Sequence, residues 1–489
     1  MVLKTSRLTR YLNTPKTDYT VTLGIIQERV GNMKQLLRQI PNVNILIKEM
    51  TANYAITNEI ILKESINEIL EELRAKILTA EAVDFSMTQL IEEINLRYQI
   101  KNLPKHRRCI NGTGVIIHTN LGRSPLSAKQ LANIEVLKSY NNLEFDCKTQ
   151  KRGSRYEIVE DIICKVCHCE AALVVNNNAA AVMLILNEFA QNKEVIVSNS
   201  ELIEIGGSFR IPEIIKLAGA KMRNVGTTNK TKLEDYYEAL SAETGLLAKI
   251  HQSNFYIEGF VASVSTKKLV NYRNEHNLDV IIYEDLASGA IFDFSKYGLD
   301  KEPTVIESVA AGVDLISFSG DKLLGSVQAG IIVGKKIYLD RLKKNQLLRV
   351  VRPSGIILNI IESTFNNYLS ETLARANIPT FAHLVEDSEQ ARLRAQFIYD
   401  LVKDKIACEV IATTAVVGGG CMPKTKLKSY GVKFSSIDSA KMKQFLAGCA
   451  LPIIPIIVAD ALVIDCKVIT TAELAYIVEK INEFVNNFS

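Results

Sequence analysis

A chain of 489 residues is too long for one compact domain, and its length predicts about two to four domains. Hydrophobic residues account for 47% of the chain and charged residues for 23%, which excludes an intrinsically disordered or repetitive protein. The net charge of +4 is too small to indicate nucleic-acid binding by itself.

The apolar stretches and the cysteines favour a soluble protein of the cytoplasm. The longest apolar stretch, 449–464, is interrupted by Pro452, Pro455 and Asp460, so no membrane contact is expected. The N-terminus has no continuous apolar region of the kind found in secretion signals. Nine cysteines, an odd number, then favour a reducing compartment over a disulfide framework.

Residues 1–100 are predicted to form a helical domain. Between 61 and 77 the apolar residues recur at helical spacing, at Leu62, Ile66, Ile69, Leu70, Leu73 and Ile77. The first 38 residues carry seven basic residues against two acidic ones: Lys4, Arg7, Arg10, Lys16, Arg29, Lys34 and Arg38. Such a basic arm is compatible with an RNA-binding segment or with an ordinary solvated surface.

From Cys109 onward, short apolar runs alternate with helical stretches, which is typical of an α/β protein with a parallel sheet. Before the first strand, Cys164, Cys167 and Cys169 lie in a helical pattern and are interpreted as buried side chains, so no metal site is predicted. Seven strands of one large sheet are predicted, at 171–175, 194–197, 221–225, 248–251, 280–283, 315–318 and 330–333.

The C-terminal residues are predicted to form a smaller α+β domain. It comprises a long helix at 384–402, strands at 407–413, 453–458 and 461–464, and a final helix from Thr471. The sequence Gly418-Gly419-Gly420 indicates a turn. The predicted domains are therefore 1–100, 101–375 and 376–489.

Two predicted strand ends carry groups suited to carbonyl chemistry. Asp285 follows the strand at 280–283, and Ser319 and Lys322 follow the next one. Ligands of open parallel sheets bind beyond the carboxyl ends of the strands. A desolvated lysine can form a Schiff base with pyridoxal 5'-phosphate (PLP), while an aspartate keeps the pyridine nitrogen protonated. The turn at 176–178, before a predicted helix, offers backbone donors to the phosphate.

A series of ordered motifs supports this interpretation. They lie at 110–126 (INGTGVIIHTNLGRSPL), 151–156, 174–181, 206–212, 226–229, 284–289 and 317–325 (SFSGDKLLG). A further motif at 37–41 extends the series, which spans about residues 36–470. Together these motifs resemble the signature of the bacterial selenocysteine synthases, the L-seryl-tRNA(Sec) selenium transferases.

The resemblance implies PLP fold type I for the large domain, with Lys322 as the Schiff-base lysine and Asp285 as the partner of the pyridine nitrogen. The residues that it implies as phosphate contacts are Ser319, Asn177 and Asn178. The residues that follow a strand where this fold has a group near the phenolic oxygen of the cofactor are His251, Ser253 and Asn254.

The reaction that the resemblance implies is the conversion of L-seryl-tRNA(Sec) to L-selenocysteinyl-tRNA(Sec), through an aminoacrylyl intermediate and with selenophosphate as the donor. The residues implied to bind the donor anion are Arg123, Arg349 and Arg352. Since 335–352 holds seven basic residues, a surface facing tRNA is an alternative role for the last two. The resemblance also implies a ring-shaped homo-oligomer whose N-terminal domain binds tRNA(Sec).

Three segments depart from the family pattern: Ser326-Val327, Pro353-Ser354-Gly355 and Asn199-Ser200. They concern the specificity for donor and tRNA and leave Lys322 and Asp285 unchanged. Two alternatives remain, a related PLP lyase that acts on a small amino acid or amino sugar acid phosphate, and a non-catalytic RNA-binding relative. The retained lysine and aspartate argue most strongly against the second.

Overall fold

The computed structural model describes residues 33–79, 85–206, 209–435 and 437–488. The chain divides into two compact units, Met1–Arg108 and Cys109–Ser489. Of the predicted basic arm, five residues lie outside the described residues, namely Lys4, Arg7, Arg10, Lys16 and Arg29. Lys34 and Arg38 are exposed on a helix at 33–39.

The first unit continues with helices α1 (Val43–Asn53), α2 (Glu59–Leu78) and α3 (Met87–Asn102). Each begins at a polar side chain that accepts a hydrogen bond from the first turn, namely Asn42, Asn58 and Ser86. The predicted apolar face of α2 is confirmed, and it packs against Leu46 of α1 and Ile94 of α3. The first unit therefore has a hydrophobic core of its own.

The second unit contains two main sheets. In chain order, their strands are β1 (Ile110–Gly112), β2 (Val115–Ile117), β3 (Ala171–Val175), β4 (Glu194–Ser198), β5 (Lys221–Val225), β6 (Thr244–Ile250), β7 (Ile281–Ala287), β8 (Leu315–Ser319), β9 (Gly330–Gly334), β10 (Cys408–Gly418), β11 (Cys421–Phe434), β12 (Ile453–Val458) and β13 (Ala461–Asp465).

The larger sheet has the order β3-β9-β8-β7-β6-β4-β5 and contains all seven strands predicted from the sequence. Its neighbouring strands are parallel, except that β9 runs antiparallel to β3 and β8. The predicted parallel sheet therefore contains one antiparallel strand. The connection 320–329 is too short for a crossover helix, so the chain must return in the opposite direction.

Both faces of the larger sheet are buried. Along the central strands, Ile282 and Ile316 enter one hydrophobic core, while Tyr283 and Leu315 enter another. The helices that connect and flank the strands are α4 (Ala128–Leu131), α5 (Glu157–Cys167), α6 (Asn178–Ala190), α7 (Ile211–Leu217), α8 (Leu233–Glu238), α9 (Thr266–Glu275), α10 (Val305–Ala310), α11 (Lys336–Leu342), α12 (Leu347–Val350), α13 (Gly355–Asn367), α14 (Glu371–Asn377) and α15 (Pro379–Val385). The predicted α/β architecture is thus confirmed.

The second sheet has the order β1-β12-β13-β11-β10-β2 and packs against α16 (Ser388–Val402), α17 (Ser439–Gly448) and α18 (Leu474–Phe488). Strands β1 and β2, which the sequence assigned to the large domain, pair with β12 and β10 of this sheet. The predicted helix at 384–402 is interrupted, because Asp387 accepts a hydrogen bond from Glu389 and starts a new helix. Within the described ranges, no helix combines the length and apolar character needed to cross a membrane.

Candidate active site

Lys322 lies in the loop after β8, at the carboxyl end of the larger sheet, and is 8% exposed. The hydroxyl of Ser124 lies 2.9 Å from the carbonyl oxygen of Asp321 and 2.7 Å from that of Lys322. Arg123 forms an ion pair with Asp321. The predicted Schiff-base lysine is therefore buried in a loop whose backbone is held by a distant part of the chain.

Asp285 lies at the carboxyl end of β7, next to β8, and is 3% exposed. The side-chain amide of Asn178 donates to its Oδ1 at 2.8 Å, and the backbone amide of Ala287 donates to the same atom at 2.9 Å. Burial raises the pKa of Asp285, while these hydrogen bonds and the charge of Lys322 favour the carboxylate. A buried carboxyl group with fixed donors thus lies close to a buried amine.

The turn after β3 joins separate parts of the site through three asparagines. The backbone amide of Asn176 donates to the carbonyl of Val351 at 3.0 Å. The side chain of Asn177 accepts a hydrogen bond from the first turn of α6. Asn178 donates to the carboxyl group described above. The structure therefore gives the side chains of Asn177 and Asn178 protein partners, while the start of α6 presents backbone N–H groups to an anion.

His251, Ser253 and Asn254 follow β6, next to Asp285. The backbone amide of His251 donates to the carbonyl of Asp285 at 2.9 Å. Within the described residues, Nδ1 of His251, Oγ of Ser253 and Oδ1 of Asn254 are buried and lack a hydrogen-bond partner. The triple-glycine turn between β10 and β11 packs on this segment, since a Cβ on Gly420 would lie 3.3 Å from Cβ of Asn254. Unpaired buried polar atoms of this kind are rare and suit a polar ligand.

Of the three predicted anion-binding arginines, the structure places two on one cavity. Arg349 and Arg352 line a cavity of about 230 Å³ together with Tyr156, Lys343 and Lys344. Nη1 of Arg352 lies 3.4 Å from Oε1 of Glu144. Arg123 is absent from the lining of that cavity and pairs with Asp321 beside Lys322.

Sequence reasoning missed several residues that shape this site. Ser124, which holds the lysine loop, follows Arg123 directly in a recognised motif, so that motif could have indicated it. Glu302 lies in a connecting loop without any periodic pattern, and its Oε1 is 3.7 Å from Nδ1 of His251. Only folding brings the side chains of His251 and Glu302 together, so no local pattern in the sequence could have indicated this contact.

The residues of the site fit PLP. A buried amine, a buried carboxyl group and the N-terminus of α6 match the aldehyde, the ring nitrogen and the phosphate of this cofactor. Ser319, the last residue of β8, is only 7% exposed and adds a hydroxyl group near the lysine. The unpartnered oxygens of Ser253 and Asn254 offer further hydrogen bonds.

Comparisons with known proteins agree with this geometry. The family model of L-seryl-tRNA selenium transferase matches residues 109–470. A curated L-seryl-tRNA(Sec) selenium transferase of Clostridium perfringens is 43% identical over 464 residues, which cover 92% of this chain and 99% of the relative. One of Sulfurimonas denitrificans is 42% identical over 456 residues, with the same two coverages. The solved structure of D-glucosaminate-6-phosphate ammonia-lyase shares the fold, with a TM-score of 0.55 at 14% identity over 78% of this chain and 96% of that one.

The mixed seven-stranded sheet and the family match make this chain a PLP-dependent enzyme of fold type I. The expected fold and cofactor are thereby confirmed. Within that class, the chain belongs to the L-seryl-tRNA selenium transferase family.

Proposed function

We propose that this protein converts L-seryl-tRNA(Sec) to L-selenocysteinyl-tRNA(Sec), with PLP bound at Lys322 and selenophosphate as the selenium donor. The observation that carries the proposal is the buried pair of Asp285, near the end of β7, and Lys322, in the loop after the neighbouring strand β8, in a chain of this family. The curated relatives are named for a transfer of selenium to L-seryl-tRNA(Sec).

PLP, when bound, withdraws electrons from the α-carbon of the seryl group, which allows the α-proton and then the β-hydroxyl group to leave. The protein residues hold and move the proton. Lys322 would hold the cofactor, and its amine, when free, would carry the proton of the α-carbon. Asp285 keeps the ring nitrogen protonated, and its hydrogen bonds to Asn178 and Ala287 fix the carboxylate for that role.

The donor anion requires a cationic site close to the reacting carbon. Arg349 and Arg352 line the same cavity. The backbone hydrogen bond from Asn176 to Val351 connects their segment to the turn before α6. Guanidinium groups bind phosphate through paired hydrogen bonds, which supports assignment of the donor to this region. Arg123, paired with Asp321 beside the lysine, is proposed to complete the anion site.

Arg352→Ala is expected to slow selenium transfer by roughly ten- to hundredfold, because one charged hydrogen bond to the donor is lost. Cofactor binding and tRNA affinity should stay near normal. The measurement is single-turnover conversion of seryl-tRNA with selenophosphate, with tRNA affinity determined in parallel. The matched control is Arg152→Ala, because Arg152 is exposed and also contacts Glu144 but does not line the cavity.

Should Arg352→Ala instead weaken tRNA binding and spare the transfer at saturating tRNA, the cavity is part of an RNA surface. The alternative role of the basic segment 335–352 would then be the correct one.

The N-terminal unit is proposed to bind the tRNA, in the cytoplasm and within a ring-shaped homo-oligomer. Support comes from the exposed Lys34 and Arg38, from its separate hydrophobic core and from the resemblance to bacterial selenocysteine synthases. Sedimentation of the purified protein would measure the number of subunits in the assembly.

In each of the three segments that depart from the family pattern, one side chain forms a hydrogen bond with a group other than Lys322 or Asp285. The hydroxyl of Ser326 lies 2.8 Å from that of Thr364, and Ser354 accepts a hydrogen bond at the start of α13. The side chain of Asn199 donates to the carbonyl of Gly226 at 2.8 Å. These contacts support a structural role for the changed residues and an unchanged PLP chemistry.

The proposed function is tested by incubating the purified, PLP-loaded protein with seryl-tRNA(Sec) and selenophosphate. Formation of selenocysteinyl-tRNA is the expected result. Absence of this product, together with release of ammonia from a small amino acid or amino sugar acid phosphate, would support the lyase alternative instead.

A further inference from the structure

A cavity of about 980 Å³ lies beyond the carboxyl ends of β6 and β7. His251, which follows β6, lines it, as does Glu302 from the loop before α10. The chemistry assigned above uses Lys322 and Asp285 but gives no role to Glu302. This buried acid, 4% exposed, therefore needs an explanation.

One buried atom of each of these two side chains lacks a hydrogen-bond partner in the part of the chain that the structure describes. Nδ1 of His251 lies 3.7 Å from Oε1 of Glu302, slightly more than a hydrogen-bond distance. Both atoms are buried, and neither has a hydrogen-bond partner among the residues that the structure describes. Buried polar atoms without a partner are costly, so a small side-chain rotation that joins these two is favourable. Such contacts are often long in the absence of substrate.

Near neutral pH, the carboxyl group is the member of the pair that gains or loses a proton. Burial raises the pKa of Glu302 to about 7, with Ser288, Lys322 and the backbone of Met422 acting against the rise. Burial, with the charges of Lys249 and Lys322, lowers the pKa of His251 to about 4. The imidazole is therefore neutral at pH 7, while the carboxyl group is close to its midpoint.

We propose that Glu302 is a positioning residue of the active site, whose carboxyl group bonds Nδ1 of His251 and thereby selects the imidazole tautomer presented beside Lys322. This inference rests on the proposed cofactor site. A protonated Glu302 donates to Nδ1 and leaves the ring with its hydrogen on Nε2. An ionised Glu302 accepts from Nδ1–H and leaves Nε2 as an acceptor. Nε2 of His251 therefore changes from donor to acceptor as Glu302 loses its proton.

Of the other ionisable groups discussed around the pair, Lys249 and Cys421 keep their charge state, and Glu284 can be tested separately. Lys249 is ion-paired with Glu201. Burial raises the pKa of the Cys421 thiol to about 12, so it stays neutral. Glu284 lines the same cavity and accepts a hydrogen bond from Thr266, and burial raises its pKa as well. Glu284 is therefore the rival acid that the experiment must separate from Glu302.

The experiment is a pH titration of the cofactor absorption band in the full-length, PLP-loaded protein, between about pH 6 and 8.5. The unchanged protein and the matched control Glu284→Gln should show a transition with a midpoint near 7, the pKa of Glu302. Glu302→Gln keeps the size of the side chain but cannot titrate, so the transition should disappear. Its kcat should fall by about tenfold, with KM for seryl-tRNA changed by less than about twofold, because the effect acts through His251.

Two further variants keep the inference open to refutation if Glu302→Gln fails to fold. Glu302→Asp should retain a transition with a shifted midpoint, and His251→Gln should lose it. A transition that persists in Glu302→Gln, or that disappears only in Glu284→Gln, would overturn the inference. Failure of the unchanged protein to bind PLP would instead refute the proposed function and the inference with it.

Discussion

Replacement of Lys322 by alanine is expected to abolish covalent retention of PLP after borohydride reduction and to lower the rate of conversion by roughly a thousandfold. In the proposed function, Lys322 forms the bond to the cofactor and also carries the proton, so one substitution removes two functions. The measurement is the mass of the reduced protein, together with its absorption spectrum and single-turnover rate.

Lys301→Ala is the control for this substitution. Lys301 is also in the second unit, but it is about half exposed and pairs with Asp293 and Glu307. It should retain the reduced cofactor and its activity. Reduced cofactor that remains covalently bound to the Lys322→Ala protein would place the Schiff base on another lysine.

A chain that begins at Leu103 is expected to bind PLP normally but to bind tRNA at least about tenfold more weakly. The residues assigned to the cofactor all lie in the unit Cys109–Ser489, whereas the helical unit with its exposed basic residues is removed. The measurement is a gel-shift titration with tRNA at fixed salt, beside the absorption spectrum of the shortened protein.

A full-length double variant, Lys34→Glu with Arg38→Glu, serves as the comparison. These side chains are exposed, so reversal of their charge should weaken both the binding of tRNA and the salt dependence of that binding, without unfolding the helices. Equal tRNA affinity of the shortened and complete chains would show that the second unit holds the binding surface.

The strands and the central chemistry of the site could be predicted from the sequence because local patterns specify them. The run at 171–175 is apolar at every position, as expected for a strand buried on both faces, and it forms β3 with those bounds. Asp285 lies near the end of one such strand and Lys322 in the loop after the neighbouring one, so the topology of the sheet brings them to one edge.

The features of the fold and the site that could not be predicted depend on contacts between distant segments. Nothing local in Asn178 shows that its side chain reaches Asp285, 107 residues later. Strand β11 is missing from the sequence prediction. Its segment KTKLKSYGVKF is rich in lysine and resembles an exposed surface, and it becomes a strand through pairing with β10 and β13 on either side. The 3.7 Å approach of Glu302 to His251 likewise arises only on folding.

Because β1 and β2 belong to the second sheet, they can pair only late during folding on the ribosome. A ribosome releases residues 110–117 about three hundred residues before their pairing partners in β10 and β12 exist. Contacts between segments so far apart in the chain form slowly. Arg123 and Ser124, which hold the loop of Lys322, lie just after a short helical turn that follows β2. During synthesis, residues 110–117 therefore lack their pairing partners until the C-terminal strands have emerged, and unpaired strand edges of this kind favour aggregation.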